Sequence, residues 1–113
     1  MPKPLRGDIW MTDLDPTQGH EQAGRRPGLV ISADTFNAGP AELVIILPLT
    51  TQHKGVRSHV PVEPPEGGLR QRSFIKCEDV RSVALERLSK RLGQIAAATM
   101  EAVAFRLRVL MDL

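Results

Sequence analysis

Three groups of polar residues in this chain have the types that acid–base and phosphate chemistry needs. His20, Glu21, Arg25 and Arg26 lie in "GHEQAGRRPG", residues 19–28; Thr50, Thr51 and His53 follow an apolar run; Lys76 and Glu78 lie in "SFIKCEDV", residues 73–80. A carboxylate or imidazole takes a proton. An arginine stabilises growing negative charge and grips a phosphate with two hydrogen bonds, while a threonine hydroxyl holds a phosphate oxygen. Together they suit a phosphoryl transfer in which RNA attacks itself. The 2′-OH gives its proton to a base and attacks the adjacent phosphorus, and the leaving 5′-oxygen takes up a proton. This chemistry requires no metal or cofactor, and the 2′-OH separates RNA from DNA.

Each group also has an ordinary structural reading. A charged loop is solvated, threonines at a strand end form turns, Lys76 and Glu78 pair on a strand face, and His53 and His59 are structural or solvent-facing. Cys77 reads as a small core residue. Trp10, Phe36, Phe74 and Phe105 are the aromatic residues, few platforms for base stacking.

The three groups are far apart in sequence, so the fold must gather them, and loops of a small barrel can meet at one rim. "GDIWMTDL" (7–14) alternates as a strand, and residues 15–28, rich in Pro and Gly, read as a loop. "LVIS" (29–32) reads as a strand, residues 33–42 as a turn or single helical turn, and "LVIILPLT" (43–50) as the central strand. Pro48 limits that strand's ladder on one side. A basic loop (51–58), a short strand (59–64), a turn (65–72) and a strand over 73–80 follow. Residues 84–95 mix a helical turn with a closing strand. Met100, Val103, Ala104, Leu107, Leu110 and Met111 form one stripe of a final helix, with Thr99 the nearest capping residue. The expected fold is a compact β-rich barrel with a C-terminal helix.

The 113 residues predict one domain, 1–113. A net charge of +2 and a pI near 9.1 permit a nucleic-acid partner without demanding one. A single cysteine and three scattered histidines show no metal-ligand spacing. No apolar run reaches membrane-spanning length and no apolar signal core precedes "MPKPLRGDIW", so the expected setting is the reducing cytoplasm. The "RGD" at Arg6–Asp8 is discounted as an adhesion motif for the same reason.

The order of motifs adds to this. "GDIWMTDLDPTQGHEQAGRRPGLVIS", "FN", "LPLTTQ", "SHVPV", "GL", "CEDVRSV", "RL" and "LGQI", followed by an apolar helix, resembles the MazF/PemK family of toxin ribonucleases from about Arg6 onward. The resemblance implies a small SH3-like β-barrel similar to the Kid and CcdB toxins, and a homodimer with single-stranded RNA along a groove at its interface. It implies cleavage at a short sequence to a 2′,3′-cyclic phosphate and a 5′-hydroxyl, causing growth arrest. An antitoxin with an acidic, flexible segment would block that groove. Arg26 matches the family's catalytic arginine and Thr50 its threonine. Glu21 lies where some members carry an acid, His20 matches a histidine of Kid-like members, and Glu78 falls where those members carry an aspartate proposed as the base. Lys76 replaces an arginine that helps donate a proton. Arg25, Thr51, Gln52 and Lys76 are expected to contact RNA. The general base stays open among Glu21, His20 and Glu78. The alternative is a non-enzymatic binder on the same fold: a relative that only binds RNA or an antitoxin, or a gyrase poison resembling CcdB, an activity that depends on a C-terminal Trp-Gly-Ile where this chain has Met111-Asp112-Leu113.

Overall fold

The computed structural model describes residues 3–15, 19 and 24–113. Seven strands and two α-helices run in the order β1 (Asp8–Asp13), β2 (Arg25–Val30), α1 (Asp34–Asn37), β3 (Leu43–Thr50), β4 (His59–Val62), β5 (Ser73–Lys76), β6 (Arg81–Ala84), β7 (Leu88–Gln94) and α2 (Ala97–Met111). The antiparallel sheet is ordered β4-β5-β3-β2-β1-β7, and β6 pairs with β3 beside β5. It curls like a barrel, but its end strands β4 and β7 are not paired to each other, so the barrel is not strictly closed. The expected β-rich barrel with a late helix is the fold observed.

Both faces of the central strands are buried, which explains their apolar runs. Ile9, Leu29, Leu47, Leu49, Ile75 and Val103 of α2 form one core; Trp10, Val30, Val44, Ile46, Val83 and Leu88 form the other. The alternation follows from the strand's two-residue period. Each fully buried Leu or Ile contributes about 1.5–3 kcal/mol. Cys77 is fully buried as expected. Burial pushes its thiol up to about 12, against the lowering effect of the Arg106 charge, so it is an unreactive packing group. Asp8 of the "RGD" is buried as well. It accepts hydrogen bonds from the Leu5 N–H, Trp10 Nε1 and Arg91 Nε.

Three boundaries differ from the sequence expectation. β2 starts at Arg25, four residues before the expected Leu29, because Arg25 and Arg26 pair with Asp13 and Thr12 of β1. The strand expected over 73–80 ends at Lys76, and a separate strand, β6, follows from Arg81. Both lie along the same edge of β3, but Thr50↔Phe74 and Val44↔Val83 show that their registers differ by three residues, and a turn from Cys77 to Val80 absorbs the offset. Glu78 is therefore in a turn and not on a strand face with Lys76. The helix begins at Ala97 without a cap from its own chain segment; Thr99 does not cap it. Glu66, from the 3-10 turn Glu66–Gly68, does so from outside: its carboxylate accepts the Ala96 N–H at 3.0 Å and the Thr99 hydroxyl at 2.5 Å.

That turn lies flat on β7. A Cβ added to Gly68 would sit 1.9 Å from the Leu92 carbonyl oxygen, so the backbones touch where only glycine fits. Among the described residues no helix is long and apolar enough to cross a membrane.

Candidate functional site

The strand registers build the site. Thr12 pairs with Arg26, and Gly28 with Pro48. Continuing the β2–β3 register by two residues sets Arg26 level with Thr50. Thr50 pairs with Phe74, and Phe74 with Pro61. Two paired runs, Thr12–Arg26 and Thr50–Phe74–Pro61, are thus joined into one row across five strands by that continuation. Gly28 makes the close approach possible. A Cβ there would meet Thr12 Oγ1 at 3.0 Å and Ile46 Cδ1 at 3.2 Å, tighter than normal packing.

Within this row Arg26 is exposed, while Thr50 is 8% exposed and Thr12 is fully buried. Thr50 Oγ1 accepts the Gln52 N–H at 3.2 Å. The turn reading of Thr50 is thus correct as far as it goes. It leaves the hydroxyl proton and a second lone pair for another partner. Successive strand residues face opposite ways, so Arg25 belongs to the other face. There Arg25, Thr51, Arg70, Gln71 and Lys90 line a cleft of about 630 Å³ that Arg26 also borders. Arg25 Nη2 donates to Ser89 Oγ at 3.0 Å, which fixes one end of the guanidinium across β1 to β7.

The Lys76 and Glu78 group is placed apart. Lys76 pairs with His59 of β4 in the ladder, and its Nζ lies 3.9 Å from Asp79, which also holds Arg81 at 2.7 Å. Glu78 accepts hydrogen bonds from Ser58 Oγ at 2.7 Å and from buried His59 Nε2 at 2.9 Å. Burial raises the Glu78 pKa, but these two hydrogen bonds, one from the backbone and the charge of His59 outweigh it. The carboxyl is held below its ordinary value of 4.5, which weakens it as a base. Neither Lys76 nor Glu78 lines the cleft. His20 and Glu21 lie outside the described residues.

Two features are not legible in the sequence: the further cleft residues and the ring on which His53 rests. Arg70, Gln71 and Lys90 enter the cleft from a turn and from β7; the only sequence signal was the basic spacing of "LRQR" and "SKR". His53, on the exposed stretch 51–57, stacks its ring on Phe74 with centroids 4.9 Å apart and planes 11° apart. The Arg72 guanidinium lies 5.0 Å from the centre of the same ring and pairs with Glu63.

Chemically, the site offers a cation and a hydroxyl level with each other at a strand end, next to a basic cleft open to solvent. That suits a polyanion with a reacting phosphate. Residues 5–111 match the model of a family described as the PemK-like, MazF-like toxin of type II toxin–antitoxin systems. The chain is 33% identical over 113 residues to endoribonuclease MazF9 of Mycobacterium tuberculosis, covering 96% of each chain. It is 32% identical over 108 residues to endoribonuclease PemK of Escherichia coli, covering 94% of this chain and 80% of that one. Its fold matches the crystal structure of MazF from Deinococcus radiodurans with a TM-score of 0.87 and 27% identity, all of both chains being covered. It also matches a MazE–MazF structure from that organism, with a TM-score of 0.82, 28% identity and coverage of 100% and 99%.

Proposed function

Since the chain belongs to the PemK-like, MazF-like toxins of type II toxin–antitoxin systems, we propose that it is the endoribonuclease of such a pair, cutting single-stranded RNA at a short sequence without a metal. The observation that carries this reading is the β2–β3 register, which ends at Gly28↔Pro48 and, carried on by two residues, brings Arg26, at the border of the basic cleft, toward Thr50. The 2′-oxygen forms a bond to phosphorus as its proton passes to a base. The bond from phosphorus to the 5′-oxygen breaks, and that oxygen takes a proton. The products are a 2′,3′-cyclic phosphate and a 5′-hydroxyl. Arg26 faces the equatorial oxygens as they gain charge and supplies the positive charge at that point. Thr50, its oxygen oriented by the Gln52 N–H, donates its own proton to one of them. Glu78, engaged by Ser58 and His59 and held below its ordinary pKa, is a poor base. The base is then His20 or Glu21, five and four positions before Arg25. Arg25 and Thr51 in the cleft, with Gln52 beside Thr50, hold the flanking strand; Lys76 is more remote and contributes charge.

The toxin works in the cytoplasm, where cutting RNA arrests growth. Its antitoxin covers the cleft with an acidic segment that folds as it binds, matching the cationic lining. The MazE–MazF similarity supports that partner. A homodimer is supported by the apolar end of α2, where Phe105, Val109 and Leu110 are exposed.

The test is incubation of the purified protein and of Arg26→Ala with a long mixed-sequence RNA in EDTA, with the new ends mapped. Cuts at one short motif with 5′-hydroxyl ends are expected from the wild type. The variant should be roughly a hundred- to a thousandfold slower. Restoration of lost activity by Mg²⁺ would sink the metal-free mechanism, and a folded, fully active Arg26→Ala would remove Arg26 from it.

A further inference from the structure

We propose that His53 is a stacking platform for one nucleobase next to the scissile phosphate, an inference that rests on the ribonuclease reading above. Three observations converge on it. The His53 ring is already parallel to Phe74, 4.9 Å between centroids and 11° between planes. Phe74 is 5% exposed and anchored in β5, so it fixes the ring above it without itself being reachable. His53 is exposed, so its ring can be reached from solvent while one face rests on Phe74. A flat ring held at a set angle and reachable from solvent is what a base stacks on.

The location ties the platform to the reaction. Phe74 pairs directly with Thr50. Paired strands lie about 4.8 Å apart, so the ring stands one strand from the hydroxyl assigned to the reacting phosphate. A base attached to the nucleotide beside that phosphate can reach it. Arg72, over the same Phe74 ring and clamped by Glu63, places a cation near the platform for the backbone of that nucleotide. With few aromatic residues in the chain, the platform is composite: a buried phenyl supports an exposed imidazole. The imidazole acts here through its face, not its proton, and this separates the proposal from an acid–base role.

The experiment uses the full chain and a short RNA carrying the mapped cut motif. Turnover is measured on the all-ribose strand. Binding is measured on a strand with 2′-deoxyribose at the cut nucleotide, and on a series made abasic at one position each. The wild type should lose roughly five- to a hundredfold in affinity at one abasic position flanking the cut. His53→Ala should lose a similar factor on the intact strand, as a rise in KM at nearly constant kcat. It should show no further loss on the strand abasic at that position. His53→Trp should restore the affinity. Thermal melting of each variant controls for folding, which an exposed loop position should not disturb. Unchanged KM in His53→Ala, additive losses in the abasic series, or a fall in kcat that Trp leaves unrepaired would each overturn the proposal; the last would make the imidazole a proton-transfer group. Absence of cleavage by the folded wild type in the EDTA assay is read out before any His53 variant is made, and it is this result that overturns the ribonuclease reading itself.

Discussion

At the scale of single residues, the informative feature of Thr50 is that its oxygen has two jobs. It accepts the Gln52 N–H at 3.2 Å, which closes the turn, and its proton is left for a phosphate oxygen. Substitution separates the two. Thr50→Ser keeps both and should retain most of the activity. Thr50→Val keeps the volume and loses the hydroxyl, and should reduce kcat/KM roughly ten- to a hundredfold, the worth of a hydrogen bond to a charged group. Near-normal turnover in Thr50→Val, measured on the mapped RNA, would leave the turn as the whole role of this residue. Glu78 shows the converse. Its residue type suggests a base, yet its neighbours Ser58 and His59 depress its pKa and hold it at β4. A residue type read from sequence says what a side chain can do, whereas its hydrogen-bond partners decide what it is free to do.

At the scale of elements, the helix cap is the clearest case of a contact between segments distant in sequence. α2 begins in an alanine run with no side-chain cap of its own, and Glu66 supplies one across thirty positions to Ala96. Glu66→Ala should destabilise the fold by about 1–2 kcal/mol, the usual cost of losing a cap, read from urea denaturation. An unchanged midpoint would mean that water caps the helix equally well. The sequence could reveal α2, because Met100, Val103 and Leu107 repeat at helical spacing. It could not reveal the capping carboxylate, because that depends on Gly68 lying against Leu92. The strands were legible for the same reason: alternation in "DIWMTD" and the apolar run of β3 are local signals. The break after Lys76 was not, since a three-residue register offset is set by pairing with β3 and leaves no trace in composition. The start of β2 was missed because Arg25 and Arg26 look like loop residues until Asp13 and Thr12 are paired with them. In the site, the family motifs pointed to Arg26 and Thr50. The His53–Phe74 stack and the cleft residues Arg70 and Lys90 emerge only when β5 and β7 are placed.

At the scale of the whole molecule, the apolar stripe of α2 extends past the surface it packs on. Val103 is fully buried and Leu107 half-buried, but Leu110 is 48% exposed and Met111 46%. There Phe105, Arg106, Val109, itself 66% exposed, and Leu110 form a groove with Arg57 and Ser58. A patch of this kind on a small domain is costly in water unless something covers it. We propose a second copy as the cover. Val109→Asp tests this with little risk to the fold, because the side chain packs on nothing in the single chain to the extent that it is exposed. Sedimentation should show a dimer for the wild type and a shift toward monomer for the variant, with loss of RNA cleavage in proportion. A wild type that sediments as a monomer while still cutting RNA would confine the whole site to one chain, and the apolar end of α2 would then belong to another partner. A variant that is monomeric but fully active would keep the dimer and remove it from the mechanism. The result therefore decides whether the row from Thr12 to Pro61 is a complete active site or half of a shared one.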